Sequence, residues 1–239
     1  MAAGGRAATY DVIVVGARCA GAPTAMLLAR LGYPVLLVDR ASFPSDTLST
    51  HFIKPPGVAM LRRWELLDQI AACGCPPVTR FRWDYGSVVL AGTPPPLDGG
   101  AESYAPRRTV LDSILVEAAA QAGAEVRTPF TVDRVLMDGD RITGVRGHAR
   151  GGAPLEERAR LVVGADGRRS LVARAVAAPA YRTRPSLTCV YYSYWNGVAS
   201  EREIEAYFRP RRVIVAFPTN DGQVCTYLAW PRAELRSVR

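Results

Sequence analysis

The chain has 239 residues, 49% of them hydrophobic and 22% charged, which allows one large or two small globular domains with a substantial core. It contains no run of about 18 apolar residues, and residues 1–9 lack the apolar stretch of a signal peptide, so we expect a disordered N-terminus, no integral membrane segment and a cytoplasmic location. The net charge of +8 comes almost entirely from scattered arginines without a nucleic-acid motif, so we do not expect nucleic-acid binding.

The first predicted elements form one βαβ unit over residues 10–40. Residues 11–16 are an apolar, β-branched run that ends in glycine, which is typical of a buried parallel strand. A helix over 20–31 follows, and residues 35–38 form a second strand that Asp39 closes. Strand, tight turn, helix and strand within about thirty residues match the size of such a unit.

The turn between the first strand and the helix carries a glycine-rich motif. Its residues are Gly16, Ala17, Arg18, Cys19, Ala20 and Gly21. In a dinucleotide fingerprint, three glycines allow the sharp turn, the close approach of the backbone to a pyrophosphate, and the packing of helix on strand. The helix N-terminus then offers N–H groups to the phosphates.

Arg18 replaces the second glycine of this fingerprint, and we expect its guanidinium to reach the pyrophosphate instead. Asp39, with Arg40 beside it, lies at a strand end where an acid accepts hydrogen bonds from ribose hydroxyls. The six residues of the turn, Asp39 and Arg40 are therefore candidate cofactor-binding residues. The alternative is a βα turn that binds nothing, but the strand, the helix and the acid all favour a nucleotide site.

The middle of the chain is less regular. Residues 41–56 are predicted to form a long loop, and residues 57–72 a helix. A strand-like run over 78–90 precedes a loop over 91–105 that is rich in proline and glycine. Residues 109–122 form a second convincing amphipathic helix, which a glycine stops.

The last part of the chain is predicted to be mostly strand. Runs at 132–137 and 141–146 flank an Asp-Gly-Asp turn and form a hairpin. Residues 161–164 are predicted to be another buried strand, which leads into Asp166-Gly167. From residue 189 onward the alternation of polar and apolar residues predicts a mostly antiparallel sheet.

Three motifs in this order resemble the FAD-dependent aromatic-hydroxylase superfamily. They are the GARCAG turn followed by a strand that ends in Val-Asp-Arg, the segment Arg108-x-x-Leu111-Asp112, and GADGRRS at 164–170. That superfamily includes para-hydroxybenzoate hydroxylase-like monooxygenases, flavin halogenases and geranylgeranyl reductase-like enzymes. The resemblance covers essentially the whole chain.

The resemblance implies an α/β fold in which a Rossmann-like FAD/NAD(P)-binding domain carries an inserted antiparallel-sheet substrate domain. It assigns residues 10–75 and 105–180 to the FAD-binding domain. Residues 76–104 and 181–239 become segments of an incomplete substrate domain. The superfamily has a further Gly-Asp motif after this sheet, and no such segment occurs before Arg239. We therefore expect the last part of the FAD domain to be missing, as in a fragment, a truncated product or a degenerate relative.

The resemblance also assigns roles to single residues. The turn 16–21 would hold the FAD pyrophosphate, and Asp39 the adenosine ribose. Arg108 would contact the flavin side of the cofactor, with a solvated helix cap as its alternative. Asp166 and Gly167 would touch FAD and the nicotinamide nucleotide, and Val132 the adenine. No catalytic residue is assigned, because the flavin performs the chemistry in such enzymes.

Three other groups of residues have both a functional and an ordinary structural interpretation. His51 is a candidate base near the flavin, but a loop histidine without a visible partner is more often incidental. The five cysteines include no zinc-like spacing, so we expect no metal site. Aromatic residues after position 189 are candidates for substrate walls or for the core of the sheet. They are Tyr191, Tyr192, Tyr194, Trp195, Phe217 and Trp230.

The function that the resemblance implies is an FAD-dependent oxidoreductase, most simply a monooxygenase that acts on a small organic substrate. FAD is the expected cofactor, with NAD(P)H as the transient reductant. The alternatives are an NAD(P)-dependent dehydrogenase and a non-enzymatic flavoprotein remnant with weak or no FAD binding. The sequence leaves four questions open. They are the substrate, the choice between monooxygenase, reductase and halogenase, the choice between NADH and NADPH, and the oligomeric state.

Overall fold

The computed structural model describes residues 9–237, so most of the predicted disordered N-terminus lies outside the described residues. Thr9, the last residue of that stretch, donates a backbone hydrogen bond to the Arg158 carbonyl at 3.2 Å. The chain divides into two compact units. The first unit combines residues up to 47 with Arg108–Tyr181, and the second combines Leu48–Arg107 with residues from 182 onward. No helix within residues 9–237 is long and apolar enough to cross a membrane.

The regular elements comprise twelve strands and five α-helices in the described residues. The strands are β1 (Tyr10–Val15), β2 (Val35–Val38), β3 (Arg80–Asp84), β4 (Val89–Gly92), β5 (Glu125–Arg127), β6 (Phe130–Asp138), β7 (Arg141–Ala149), β8 (Leu155–Gly164), β9 (Thr188–Trp195), β10 (Glu203–Arg209), β11 (Arg212–Pro218) and β12 (Val224–Pro231). The helices are α1 (Gly21–Arg30), α2 (Pro55–Arg63), α3 (Leu67–Ala72), α4 (Arg108–Gln121) and α5 (Leu171–Ala175). Short 3₁₀ turns occupy Asn220–Gly222 and Arg232–Glu234.

The first unit contains a six-stranded sheet in the order β5-β2-β1-β8-β7-β6. Strands β5, β2, β1 and β8 are parallel, whereas β7 and β6 form an antiparallel hairpin on β8. The predicted βαβ unit is confirmed, because β1 and β2 pair in parallel with Val12 opposite Val35. The parallel arrangement brings the carboxyl ends of β1, β2 and β8 to one edge of the sheet, where ligands of such folds bind.

The core of the first unit explains why these segments form strands. Its buried residues are Tyr10, Ile13, Val15, Leu36, Val38, Phe130, Val135, Val145, Ala159 and Val172. β2 is buried along its whole length, as expected for a parallel strand with both faces covered. The predicted strand at 161–164 is the end of the longer β8, but it is not fully buried, since Leu161 is 54% exposed.

The second unit contains a six-stranded sheet in the order β4-β3-β10-β11-β12-β9. All its pairs are antiparallel except β3 with β10, so the predicted, mostly antiparallel sheet after residue 189 is confirmed. The predicted strand at 78–90 is two strands, β3 and β4, joined by a turn at Gly86. Phe217 lies at the centre of this unit's core.

The predicted helix over 57–72 was wrong in two respects. It begins earlier, because Pro55 and Pro56 occupy the first helical positions, where a missing N–H costs nothing. It is also broken into α2 and α3, because the backbone of Glu65 takes a left-handed φ of 63°. Residues 48–75, which the sequence analysis assigned to the FAD-binding domain, lie in the second compact unit, where Ile53 bridges to Tyr104.

Candidate nucleotide-binding site

The turn after β1 is built on two glycines that no larger residue can replace without a shift of backbone. Gly16 has a φ of +102°, and a Cβ placed on it would lie 2.4 Å from the carbonyl oxygen of Ala165. A Cβ on Gly21 would lie 1.7 Å from the carbonyl oxygen of Gly16. Ala165 also donates its N–H to the Val15 carbonyl at 2.8 Å. The turn 16–21, which we call the phosphate loop, is therefore closed tightly against the segment that follows β8.

α1 begins directly after the phosphate loop, and no acidic side chain in its first turn offsets the partial positive charge of its N-terminus. Its N-cap residue is Ala20, which makes no side-chain capping hydrogen bond, and its first turn contains no acidic residue. The first N–H groups of a helix lack intrahelical acceptors, and the helix dipole places a partial positive charge there. This end of α1 is suited to an anion.

Asp39 lies at the carboxyl end of β2 and connects the phosphate loop with the segment that follows β2. Its Oδ2 accepts a hydrogen bond from the Ala17 N–H at 2.8 Å, and its Oδ1 accepts one from the Ala41 N–H at 2.8 Å. A carboxylate has about four acceptor positions, so the half-buried Asp39 retains capacity for hydroxyl donors.

The side chain of Arg18 is directed to α4. Its Nη1 donates to Oδ2 of Asp112 at 2.6 Å, and its Nη2 donates to Oγ of Ser45 at 3.0 Å. Arg108 donates to the same carboxylate through Nε at 2.9 Å and Nη2 at 3.0 Å. Arg18, Asp112 and Arg108, which we call the Arg–Asp–Arg cluster, therefore bring two of the predicted site residues together. Asp112 belongs to the Arg108-x-x-Leu111-Asp112 motif, but the sequence alone does not indicate a role for it.

The electrostatics of this cluster also involve Cys19 of the phosphate loop. Burial raises the pKa of the Cys19 thiol to about 11, with Arg108 opposing this shift and Asp112 adding to it. The residue as a whole keeps exposed surface, but its Sγ is partly buried and lies 3.4 Å from Oδ1 of Asp112. Burial alone would lower the pKa of Arg108, but its hydrogen bond to Asp112 and the neighbouring negative charges outweigh this effect and raise that pKa.

Asp166 and Gly167 follow β8 at the same edge of the sheet. Oδ2 of Asp166 accepts the N–H groups of Leu171 at 2.6 Å and Val172 at 3.4 Å, which orders the start of α5. Its Oδ1 is buried and has no hydrogen-bond partner among the described residues. Gly167 has a φ of +80° and open space around its Cα. This edge thus contains one buried carboxylate oxygen that the described residues leave without a hydrogen-bond donor.

A cavity of about 530 Å³ adjoins the end of β2. Its lining residues are Arg40, Ala41, Ser42, Ser45, Pro129, Thr131, His148, Arg150 and Gly151. Neither Arg40 nor Arg150 forms an ion pair with another residue in the described part of the chain, so the cavity is cationic and rich in hydroxyl groups. Val132 is partly buried against the core of the first unit and does not line this cavity.

In the second unit, His51 has partners that its sequence neighbours did not indicate. The ring is buried, with 5% exposure, and its Nδ1 lies 3.1 Å from the Ala105 carbonyl oxygen. Since a carbonyl only accepts, Nδ1 carries the proton, and in the neutral ring Nε2 accepts from the Tyr194 hydroxyl at 3.1 Å. The sequence shows no partner for this loop histidine, and the structure supplies two, the Ala105 carbonyl and the Tyr194 hydroxyl. The backbone of His51 also has a left-handed φ of 38°.

The predicted aromatic residues of this unit divide between the two faces of the sheet. Tyr192, Tyr194 and Phe217 belong to or pack against its core. Tyr191, 46% exposed, stacks on Trp230 with ring centroids 5.2 Å apart, and Trp195 is 53% exposed. Core packing thus accounts for only part of this set.

The hydrogen bond between Tyr194 and His51 should contribute measurably to stability. We expect Tyr194→Phe, which keeps the ring, to lower the free energy of unfolding by about 1 kcal/mol, because Nε2 of a buried imidazole loses its donor. Urea unfolding followed by tryptophan fluorescence measures this change. Tyr181→Phe is the control, since Tyr181 is 82% exposed. Equal stability of the two variants would refute the assigned hydrogen bond.

The chain is similar in sequence to a known protein family and to two named proteins. Residues 9–238 match a protein family described as an FAD binding domain. Digeranylgeranylglycerophospholipid reductase 2 of Methanopyrus kandleri is 28% identical over 226 residues, covering 90% of this chain and 53% of the relative. A probable electron transfer flavoprotein-quinone oxidoreductase, YdiS of Escherichia coli, is 31% identical over 183 residues, covering 70% of this chain and 38% of the relative. The chain spans about half the length of the reductase that it matches.

Solved structures share the fold. The myxobacterial chondrochloren halogenase CndH superposes with a TM-score of 0.83 at 22% identity, covering 96% of this chain and 55% of the halogenase. PqsL, a probable FAD-dependent monooxygenase from Pseudomonas aeruginosa, superposes with a TM-score of 0.79 at 21% identity, covering 95% of this chain and 62% of PqsL. The predicted α/β fold class is thereby confirmed.

Proposed function

The chain belongs to the family of FAD binding domains, and from this membership we propose that it is an FAD-dependent oxidoreductase. The match also confirms the resemblance to the FAD-dependent aromatic-hydroxylase superfamily. In its simplest form the proposed enzyme is an NAD(P)H-driven monooxygenase that acts on a small organic substrate. The observation that carries the proposal is the phosphate loop, closed on Gly16 and Gly21 at the uncapped N-terminus of α1.

The residues at this edge of the sheet fit FAD in charge and hydrogen-bonding capacity. The phosphate loop and α1 would hold the diphosphate, and Asp39 the adenosine ribose. The cavity beside Arg40 is large enough for the adenine end, with the backbone near Val132 as the proposed adenine contact.

The opposite end of the cofactor is proposed to meet Arg108, Asp166 and Gly167. Arg108 is held at the first turn of α4 by Asp112, so its remaining N–H groups have a fixed orientation. The buried Oδ1 of Asp166 is an acceptor that a ligand hydroxyl would satisfy. Gly167 leaves open space for a ligand to approach the backbone.

When bound, FAD supplies the electron transfer that no amino-acid side chain performs. In this proposal the phosphate loop and α1 bind the diphosphate and Asp39 orients the ribose. The buried Oδ1 of Asp166 accepts from a hydroxyl group of the cofactor. NAD(P)H is the proposed transient reductant.

The test of this proposal is flavin retention. Purified protein should be yellow after incubation with FAD and desalting, with about one flavin per chain, and should then oxidise NAD(P)H. Colourless protein would contradict FAD binding if its near-ultraviolet circular dichroism spectrum shows that it is folded. Retained flavin without NAD(P)H oxidation would contradict the NAD(P)H-driven enzyme and would support the non-enzymatic remnant.

A reductase is the second candidate, because relatives at 28% and 29% identity carry the name digeranylgeranylglycerophospholipid reductase. It uses the same FAD site but transfers electrons to the substrate without incorporating oxygen. Oxygen consumption distinguishes the two candidates. A monooxygenase consumes O₂ in step with NAD(P)H and substrate, whereas a reductase turns over under anaerobic conditions.

Cys19 provides a chemical probe of the site. Because the pKa of its thiol is raised to about 11, we expect alkylation by iodoacetamide to accelerate about tenfold per pH unit from neutrality upward. Saturating FAD should slow this reaction by about tenfold or more, since the diphosphate would cover the phosphate loop. Peptide mass spectrometry measures both effects, with Cys73 of the second unit as the internal control. Alkylation of Cys19 at the same rate with and without FAD would contradict the proposed location.

A further inference from the structure

The second glycine of the dinucleotide fingerprint exists so that the backbone can approach a diphosphate, yet Arg18 occupies its position here. An unrestrained arginine side chain would compete with the ligand for the surface of the phosphate loop. In this structure three contacts restrain it. Asp112 accepts from Nη1 at 2.6 Å, Ser45 accepts from Nη2 at 3.0 Å, and the Phe43 ring centroid lies 5.4 Å from the guanidinium carbon.

Asp112 is the most buried member of the Arg–Asp–Arg cluster. Its side chain has 0% exposure, whereas those of Arg18 and Arg108 have 26% and 12%. A lone carboxylate in such a place would be costly, and two guanidinium groups compensate for it. The three side chains together carry one net positive charge at the edge of the phosphate loop.

The hydrogen bonds of the cluster leave donors for a ligand. Arg18 uses Nη1 and Nη2 for one hydrogen bond each, and Arg108 uses Nε and Nη2. A guanidinium has five N–H donors in a planar fork, so three remain on Arg108 in a fixed direction for a ligand, whereas the fork of Arg18 is turned to Asp112 and Ser45. Asp112 thus determines both where these cations lie and how they are oriented.

We propose that Asp112 is a positioning residue of the cofactor site: it holds the guanidinium of Arg18 away from the backbone of the phosphate loop, and it fixes the orientation of Arg108. The loop then accepts a diphosphate although it lacks the second glycine. The inference rests on the proposed function, since the diphosphate is that of FAD. Asp112 acts through the two arginines, and no contact of its own with the cofactor is required.

The first test is Asp112→Asn, which preserves shape and removes the charge. We expect the affinity for FAD and for ADP, which both contain the diphosphate, to fall about tenfold or more. The affinity for adenosine, which lacks phosphate, should change less than about twofold. Glu117→Gln is the matched control, because it removes a carboxylate from the exposed face of the same helix, where Glu117 accepts from Gln121 at 2.9 Å. This control should bind all three ligands as the unsubstituted protein does.

The second test separates positioning from a purely structural role. If Asp112 restrains Arg18, then adding Arg18→Gly to Asp112→Asn should raise FAD affinity at least about threefold above that of the single variant, and the loss that remains is the part due to Arg108. A structural role predicts no such recovery, because the double variant has lost one more contact. Should Asp112→Asn fail to fold, Asp112→Glu displaces the carboxylate by one methylene and is expected to show the same selective loss for FAD and ADP.

Two results would overturn the inference: unchanged FAD affinity in the Asp112 variant, or a double variant that binds FAD no better than the single one. Failure of the unsubstituted protein to bind FAD or ADP would instead contradict the proposed function. Isothermal titration calorimetry with FAD, ADP and adenosine on the four proteins distinguishes these cases.

Discussion

Gly21→Ala should abolish FAD binding within the measurable range, with an affinity loss of about a hundredfold or more, and should destabilise the protein by about 3 kcal/mol. The added Cβ would lie 1.7 Å from the carbonyl oxygen of Gly16 and 3.1 Å from the Ala165 Cβ. The first of these neighbours is backbone, so no side-chain rotation relieves the clash. The phosphate loop must open, and the N–H groups of α1 then no longer converge on one anion.

Calorimetric titration with FAD and urea unfolding measure the two effects of Gly21→Ala. Gly92→Ala is the matched control, since a Cβ on Gly92 meets nothing within 4 Å. It should bind FAD like the unsubstituted protein. Native FAD affinity in Gly21→Ala would show that the closed loop is not where the diphosphate binds.

Asp39→Ala is expected to weaken FAD binding by about a hundredfold and leave FMN affinity nearly unchanged. Hydrogen bonds to a charged acceptor contribute about 1.5–3 kcal/mol each, and a ribose offers two hydroxyl donors. FMN lacks the adenosine, so it does not depend on this carboxylate. The Ala17 N–H of the phosphate loop would also lose its acceptor at 2.8 Å, which accounts for the small loss expected for FMN.

Fluorescence titration with the two flavins gives the selectivity directly. Asp140→Ala serves as the control, because Asp140 is an exposed acid in the hairpin turn between β6 and β7. Equal losses for FAD and FMN would indicate that Asp39 supports folding and not the ribose. No loss for either flavin would exclude it from the site.

The βαβ unit could be predicted from sequence because its determinants are local. The apolar runs of β1 and β2 are buried as expected, and the positions of Gly16 and Gly21 follow from the turn between strand and helix. The break between α2 and α3 has no such signal. Glu65 adopts a left-handed conformation that is usual for glycine. Because the residue type does not indicate this conformation, the helical spacing of apolar residues predicts one continuous helix.

The residues that sequence reasoning missed depend on distant partners. Asp112 lies 94 residues from Arg18, and an acid four residues after an arginine on a helix ordinarily indicates a solvent-exposed pair. His51 lies 143 residues from Tyr194, so its second hydrogen bond has no local signature. The sequence analysis expected the guanidinium of Arg18 to reach the pyrophosphate, and only the fold reveals that a buried carboxylate holds it.

Calorimetric titration of the folded, unsubstituted chain with FAD tests the central claim most directly. The account predicts saturable binding of one FAD per chain, with ADP competing for the same site because it shares the diphosphate and the ribose. A flat titration with both nucleotides, in a sample whose near-ultraviolet circular dichroism shows native packing, would contradict it.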